Sequence, residues 1–576
     1  MMTIHNEDVA EAFDEMADLL AIQGANPFRI RAYRRGAQVI RSLSRDVADF
    51  AGAEEFDALP GIGADLAGKI VELRKTGRLR ALEELRREVP PGLRELLKLP
   101  GLGPVRVRTL RMKLRIRGVS DLKRAVASGR LEGLKGFGAG IASRLAGALA
   151  GTAPRGRRRM PWPIAAQHAQ SLRAYLQALP GVTRVAIAGS YRRGRDTVGD
   201  LDLLVCAPAG VDPIAALKRY DDLRDLSAAG ATKASGVLRN GLQFDVRVVP
   251  AESYGAALYY FTGSRDHSIR IRRRAQEHGY KLNEYGLFRG RKRVAGATEE
   301  ELLAALGLPW IPAELREDRG EIEAAEDNTL PVLIERADLQ GDLHVHTDAS
   351  DGHESLEKVV AAARAQRLRY VAITDHAKYL GVVHGLDAAR LARQIDRIDA
   401  LNERLRDVVV LKGAEVDILE DGKLALPDTI LSRLDLVVVA IHSQFGMPEA
   451  RQTTRILRAL ERPCVSILAH PTGRLLGERP PYVIDFDRVL RAARDRPCYL
   501  EINGQPNRLD LDDVHAKAAR ELGVLLSIAS DAHSGAELAY LEHGIRQARR
   551  GWATKKDVLN SRPLKDLRTL LRRTMH

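Results

Sequence analysis

The sequence predicts a multidomain chain: an all-α N-terminal region, a central α+β unit with an appended subdomain, and a C-terminal α/β barrel. Three observations carry that reading. Amphipathic helical periodicity interrupted by a repeated Gly-x-Gly phrase runs through the first part of the chain. A glycine-bearing turn followed by Asp-x-Asp opens an apolar run at residue 200, and a train of short aliphatic runs, each ending in His, Asp or Glu, fills the last part. At 576 residues the chain exceeds one ordinary domain, and its 45% hydrophobic content is enough for several cores.

Charge is unevenly spread. Residues 1–315 hold 51 Lys and Arg against 35 Asp and Glu, while the remainder holds 39 against 41, so the whole net excess of +14 originates in the N-terminal part. That asymmetry points to a polyanion partner there. Cys206, Cys464 and Cys498 stand far apart without paired spacing, as ordinary buried thiols do in a cytoplasmic protein. The longest apolar run, LDLVVVAI near residue 437, is far too short to span a bilayer. The expectation is therefore a cytoplasmic, monomeric chain with no membrane association.

From Val9 through Leu43 and onward, apolar residues recur at three- and four-residue spacing between charged ones, which predicts amphipathic helices. LPGIGADLAGKI (59–70) and LPGLGPVRVRTL (99–110) are two copies of one phrase, and LKGFGAGIASRL (134–145) is a looser third. Gly61 with Gly63, and Gly101 with Gly103, place a tight turn at a helix start, where backbone N–H groups and the helix dipole favour an anion. Such a turn holds a DNA phosphate without reading a base. The phrases resemble the helix-hairpin-helix motif of DNA repair proteins.

A basic stretch, GTAPRGRRRMPWP, reads as a linker, and a helix over 164–179 leads to the strand VTRVAIAGS. GSYRRGRDTVGDLDLLV (189–205) follows. Residues i and i+2 of a strand share a face, so Asp200 and Asp202 can hold divalent metal side by side, while Gly189, Ser190 and the arginines between offer N–H groups and charge to a phosphate. This arrangement suits nucleotidyl transfer. In GLQFDVRVVP (241–250) Asp245 alternates with buried-type residues and supplies a third carboxylate from a neighbouring strand, as ligand or as base for a primer hydroxyl, which a two-metal site requires.

GSYRRG, GDLD, QFDVR and YFTGS (260–264) stand in the order and spacing of family X DNA polymerases, and the chain resembles them over residues 1–315. The resemblance implies Mg2+ or Mn2+ at Asp200, Asp202 and Asp245, with nucleotide phosphates held by Gly189, Ser190 and Arg193. It implies a sugar pocket lined by Tyr260, Phe261 and Gly263, and Arg272 at the template minor groove. Arg29 and Tyr33 resemble a pocket for a downstream 5′-phosphate, which implies gapped or 3′-recessed DNA and dNTPs as substrates, and Lys69 stands where the family's Schiff-base lyase lysine lies. Two residues depart from the pattern: Ser268 replaces an asparagine that contacts the incoming base, and Asp65 replaces a basic hairpin residue.

An acidic stretch, ELREDRGEIEAAEDNTLP, reads as a linker between the halves. Beyond it, LRYVAI, VVVLKG, LDLVVVAI, CVSILA, CYLEI and GVLLSIA alternate with helical patterns, as parallel strands buried on both faces do. Polar residues follow each run: His344, His346, Asp375 with His376, Glu415, His442, His470, and Asp531 with His533. Strand ends of this kind converge on one mouth of a barrel. With Asp351 they make nine candidate ligands besides Asp375, too many for one ion, so two or three ions sharing Glu415 and Asp531 are expected; imidazole with carboxylate suits zinc, manganese or iron.

The pattern HVHT, SDG, TDH, GAEVDI, IHS, AHPTGR, SDAH closely resembles the PHP (polymerase and histidinol phosphatase) domain. That resemblance implies a distorted seven-stranded (β/α)7 barrel with three ions, Mn2+ or Zn2+. His353, His384 and Glu501 fall outside it and are expected in loop, surface and strand-end roles, with Arg474 as a phosphate contact. The expected domains are 1–80 and 81–152 (both helical, helix-hairpin-helix), 153–250 (palm), 251–315 (thumb), 316–337 (linker) and 338–576 (PHP). The combined reading is a gap-filling DNA polymerase with a metal-dependent 3′→5′ exonuclease. An abasic-site phosphodiester, a 3′-phosphate or a small phosphoester fits the same barrel, and an inactive palm beside a working nuclease is the rival reading of the centre.

Overall fold

The computed structural model describes residues 4, 6–42, 47, 50–59, 61–97, 99, 102–131, 134, 137, 145, 149, 159–208, 210–377 and 384–575. They form two compact units, Met1–Arg159 and Met160–His576.

The first unit is helical. Asn6–Gln23 and Pro27–Ser42 pack Phe13, Met16, Leu20, Tyr33 and Ile40 into one core with residues of the later helices. The repeated phrase has one local geometry. Ile62 N donates to Leu59 O at 2.9 Å, Leu102 N to Leu99 O at 3.1 Å, and Phe137 N to Leu134 O at 3.0 Å. Ile62, Leu102 and Phe137 are buried alike, so each turn is pinned by one apolar anchor. Gly63 and Gly103 are the extended N-caps of Ala64–Thr76 and Pro104–Leu114, and no side chain caps either helix. Gly101 and most of the third copy lie outside the described residues, as does most of the basic stretch before residue 159.

The second unit opens on a five-stranded sheet in the order Arg184–Ile187, Asp200–Cys206, Gln243–Val249, Lys233–Leu238, Leu223–Ala229. Its second and third members in that order run parallel, with Asp202 directly opposite Asp245. Helices Tyr254–Thr262 and Arg265–Glu277 and a three-stranded antiparallel sheet follow.

The acidic stretch read as a linker is folded. It carries the helix Glu321–Glu326, and Arg316 and Glu321 are fully buried. The reason is pairing: Glu321 meets His267 at 2.6 Å, Glu323 meets Arg270 at 2.6 Å, and Glu314 meets Arg549 at 2.7 Å. Acidity that reads as solvation in the sequence is complementary to a basic surface in the fold.

Residues 341–529 build a parallel sheet of seven strands in sequence order: Gly341–Val345, Tyr370–Ile373, Val409–Asp417, Leu436–Ala440, Ile467–Leu468, Tyr499–Asn503 and Leu526–Ala529. Nearly every residue of these strands is buried, because helices cover the outside while Leu343, Tyr370, Leu411, Val438 and Leu436 share a second core. The barrel is nearly closed. Between its first and last strands the amide of Asn560 donates to Gly341 O and Ile528 O, both at 2.7 Å, and accepts from Ile528 N at 3.0 Å. A side chain thus completes a ladder that the backbone leaves open, in a fully buried position. Replacing Asn560 with Ala strands two carbonyls and one N–H without water. We expect Asn560→Ala to cost roughly 2 kcal/mol or more, seen as a lowered barrel unfolding temperature and as faster amide exchange in the first and last strands.

Candidate active sites

Two separate clusters of chemically active side chains occur in the second unit. In the palm, Asp200 and Asp202 project from one face of their strand while Leu201 and Leu203 are buried on the other. Asp245 stands opposite Asp202 and accepts a hydrogen bond from Ser235 Oγ. Gly189, at φ +61°, sits so close that a Cβ there would lie 2.1 Å from Asp202 Oδ2, so only glycine admits the carboxylate. Burial, then repulsion from Asp200 and Asp245, pushes the Asp202 carboxyl up to about 7. Three carboxylates crowded in this way are a fit donor set for divalent cations.

The arginines of the glycine turn are already engaged. Arg192 makes a bidentate pair with buried Glu299 at 2.7 and 2.8 Å, and Glu299 also receives Arg316 and Trp310. Arg193, expected to hold phosphate, donates to Glu317 Oε1 at 3.0 Å and to Thr262 O. Glu317 in turn receives Arg550 from the barrel helix Leu541–Arg550 at 3.1 Å, and the same guanidinium donates to Arg193 O at 2.7 Å. Arg546, on the same helix, lies 3.6 Å over the Trp162 ring. The Ser190 carbonyl accepts from Arg195 N at 3.1 Å, closing the turn. Tyr260, Ser268 and Arg272 line one hollow, with Arg272 5.4 Å over the Tyr260 ring and the Ser268 hydroxyl buried without a partner. Phe261 stands edge-on to Tyr260 and lines the hollow that holds Asp202 and Asp245. Gly263, at φ +68°, packs 3.3 Å from Arg193 Nη1, counted from an added Cβ.

In the first unit Lys69 is ion-paired with Asp65 and lies 5.9 Å from the centre of the Tyr33 ring. Tyr33 is only 2% exposed, edge-on to Phe13, which makes it a core residue as well as a neighbour of Lys69; Arg29 is exposed.

All nine expected barrel ligands converge at the C-terminal ends of the strands. Glu415, 1% exposed, is the hub. Its Oε1 lies 3.0 Å from His470 and 3.2 Å from His442, and its Oε2 lies 2.9 Å from His376, 3.4 Å from His344 and 3.6 Å from His346. Asp531 Oδ1 faces His346 at 3.2 Å and His344 at 3.8 Å. Asp351 Oδ2 lies 3.5 Å from both His376 and His533. Three overlapping donor groups result: His346, Asp351, His376 and His533; His344, His346 and Asp531; and His376, Glu415 and His442. His344 Nε2 and both ring nitrogens of His346 are buried without hydrogen-bond partners, which is what a site built for cations leaves behind.

Supporting residues fix the imidazoles from behind: Glu501, expected only as a strand end, and Asp417 and Asn503, which the sequence reading did not assign. Glu501 takes His344 Nδ1 at 2.5 Å and Asp417 takes His442 Nδ1 at 3.0 Å, leaving each Nε2 for the centre. Asn503 holds Asp531 Oδ2 at 3.0 Å and Glu501 at 2.7 Å. Polar residues inside continuous aliphatic strands were the available signal. Asp375 is consumed by Thr347, Ser350 and Gln394 rather than offered to the centre. His353 and His384 stay on loops, the latter exposed. Arg474, expected to touch phosphate, does not face the cluster. It donates to Arg508 O at 3.0 Å and to Leu509 O, and pairs with Asp196 of the palm at 2.9 Å.

Against burial, which lowers them, the surrounding carboxylates raise His442 to about 9 and His533 to about 10, and raise His344 well above its ordinary range. Burial, then His533, lowers His346, and burial, then Arg508, lowers His470. Protons on the raised histidines balance Glu415 and Asp531 until a cation replaces them.

Because the folded carboxyl of Asp202 is raised, the metal-free palm loses stability as pH rises from about 4 to about 7. Asp202→Asn should therefore unfold at a higher temperature than the unsubstituted chain at pH 8 without divalent ions, with the difference vanishing near pH 4. In the barrel, adding Mn2+ to the EDTA-treated chain at pH 7.5 should release protons from His344, His442 and His533. Calorimetry in buffers of different ionisation enthalpy measures that release, and metal affinity should rise with pH.

Comparison with known families assigns residues 4–79 to a helix-hairpin-helix domain and 93–150 to a SAM-like helix-hairpin-helix tandem. Residues 159–257 match the DNA polymerase beta palm, 257–317 the DNA polymerase beta thumb, and 342–504 the PHP domain. The chain is 37% identical to the DNA polymerase/3′-5′ exonuclease PolX of Bacillus subtilis over 99% of its own length and 100% of that relative. A probable phosphatase of Thermoanaerobacter is 31% identical over 38% of the chain and 89% of its own length. DNA polymerase lambda of Rattus norvegicus is 27% identical over 54% of the chain and 56% of its own length.

Proposed function

Because the chain belongs to the family X DNA polymerases that carry a C-terminal PHP domain, we propose that it fills short gaps at the palm and trims DNA 3′ ends in the barrel. It is a DNA-directed DNA polymerase and a 3′→5′ exonuclease. The observation that carries the reading is the coexistence, in one chain, of three facing carboxylates and a nine-donor barrel mouth.

In the palm, Asp200, Asp202 and Asp245 would hold Mg2+ or Mn2+, and in the barrel the nine ligands would hold up to three ions, Mn2+ or Zn2+. When bound, such ions neutralise phosphate charge and lower the pKa of water or a primer hydroxyl. The chain's own residues do the rest. Asp245 takes the proton of the primer 3′-hydroxyl as its oxygen bonds to the α-phosphorus and the bond to the leaving pyrophosphate breaks. Arg193 is the phosphate-loop cation, and an incoming triphosphate takes the place of Glu317 on it. Tyr260 and Phe261 line the sugar pocket, with Ser268 and Arg272 at the base and template. In the barrel a water oxygen bonds to phosphorus, the P–O3′ bond breaks, O3′ takes a proton from solvent, and a 5′-mononucleotide leaves. Glu501 and Asp417 hold His344 and His442 in register for that step.

The hairpin turns at Gly61, Gly63, Gly101 and Gly103 hold duplex phosphates, giving salt-sensitive binding with little sequence preference. Arg29 receives a downstream 5′-phosphate. Lys69 is the lyase candidate, and Asp65 holds its nitrogen in an ion pair that a nucleophilic role has to break. The likeness of the barrel alone to a probable phosphatase favours a second reading, in which it hydrolyses small phosphomonoesters. A labelled 3′-recessed duplex competed against a soluble phosphomonoester separates the two.

Separate sites give separable defects. Asp200→Ala with Asp202→Ala should lower nucleotide incorporation on a one-nucleotide gap at least 10³-fold and spare 3′ trimming; His344→Ala should do the reverse. Loss of both activities in one folded variant would overturn the assignment.

A further inference from the structure

Resting on the exonuclease reading, the rim of the barrel carries one more group with chemistry to perform. Asp531 turns Oδ1 toward the histidines, while its Oδ2 faces Arg508, whose Nε is 3.8 Å away. That is the single ion pair Arg508 makes among the described residues, and its side chain is 19% exposed. The loop that carries it is tied down. Gln505 Nε2 donates to Asp531 O at 2.6 Å, Gln505 N to Asn503 Oδ1 at 3.0 Å, and Leu476 N to Asn507 O at 2.7 Å. A second arginine of the same rim, Arg479, donates to Gly473 O at 2.9 Å, lies 3.7 Å over the Phe445 ring, and makes no ion pair among the described residues.

Arg508 has one long ion pair and Arg479 one backbone carbonyl to set against the burial of their charge, which costs free energy. A phosphodiester beside the cluster removes that cost. Arg474, by contrast, has each of its three nitrogens held by a carbonyl or by Asp196.

We propose that Arg508 is the phosphate-gripping catalytic arginine of the barrel, donating to a non-bridging oxygen of the scissile phosphate. The planar fork of its guanidinium matches two phosphate oxygens, and the charge that builds on them as the water oxygen bonds to phosphorus is met at fixed geometry.

The test compares the full chain with Arg508→Ala and Arg508→Lys. On a 3′-recessed duplex with Mn2+, Arg508→Ala should lower kcat for mononucleotide release about 100-fold, and Arg508→Lys should recover part of it. Calorimetric titration of thymidine 5′-monophosphate into the EDTA-treated chains should show roughly tenfold weaker binding to Arg508→Ala, with Mn2+ content on reloading unchanged. Should Arg508→Ala lose metal, Arg508→Gln, which keeps the bulk and drops the charge, decides in its place. Variants that keep the unsubstituted kcat, KM and mononucleotide affinity overturn the proposal and leave the exonuclease reading intact. An unsubstituted chain that releases no mononucleotide overturns that reading instead.

Discussion

A carboxylate withdrawn from water is tolerated only where cations or strong donors surround it, and Glu415 imposes that condition on the whole barrel mouth. Five imidazoles stand within 3.6 Å of its two oxygens, drawn from four strand ends. Their own outer nitrogens need partners in turn, and Glu501, Asp417 and Asn503 supply them or hold those that do. Polarity therefore spreads outward from one side chain in shells, each satisfied by the next.

The palm solves the opposite problem. There, like charges face each other across adjacent strands, and burial with the neighbouring carboxylates raises Asp202, whereas in the barrel the histidines overcome burial and hold Glu415 well below its usual range. The barrel assembles compensated charge before any ion arrives, whereas the palm assembles uncompensated charge that an ion must neutralise. One chain thus holds a centre that exchanges protons for metal and another that gains stability from metal.

Much of this was legible in the amino-acid order. Asp200, Asp202 and Asp245 are readable because strand alternation decides which face each takes, and the nine barrel ligands because a parallel barrel brings strand ends together. What the sequence hides is which cation meets which anion over long separations. Glu317 reads as one acid among many in a solvated linker, yet it sits between Arg193 and Arg550, 233 positions away. Arg474 stands in a phosphate-suggestive setting, yet each of its nitrogens meets a carbonyl or Asp196 instead. Tyr33 looks like a surface contact in its basic neighbourhood and proves to be buried against Phe13. Local periodicity fixes neither pairing nor depth for such residues.

The engagement of the glycine turn by the barrel helix also bears on where this chain can be cut. Trp162 is 8% exposed beneath the Arg546 guanidinium, Gly194 abuts Arg546 and Arg550, and Asp196 leans on Arg474. A fragment ending at residue 317, where the match to the thumb ends, would bare an indole, strip Glu317 of one arginine and leave the nucleotide turn without its backing. The seam between the halves is an organ of the polymerase, so excision of either half yields a wounded surface instead of a free-standing module.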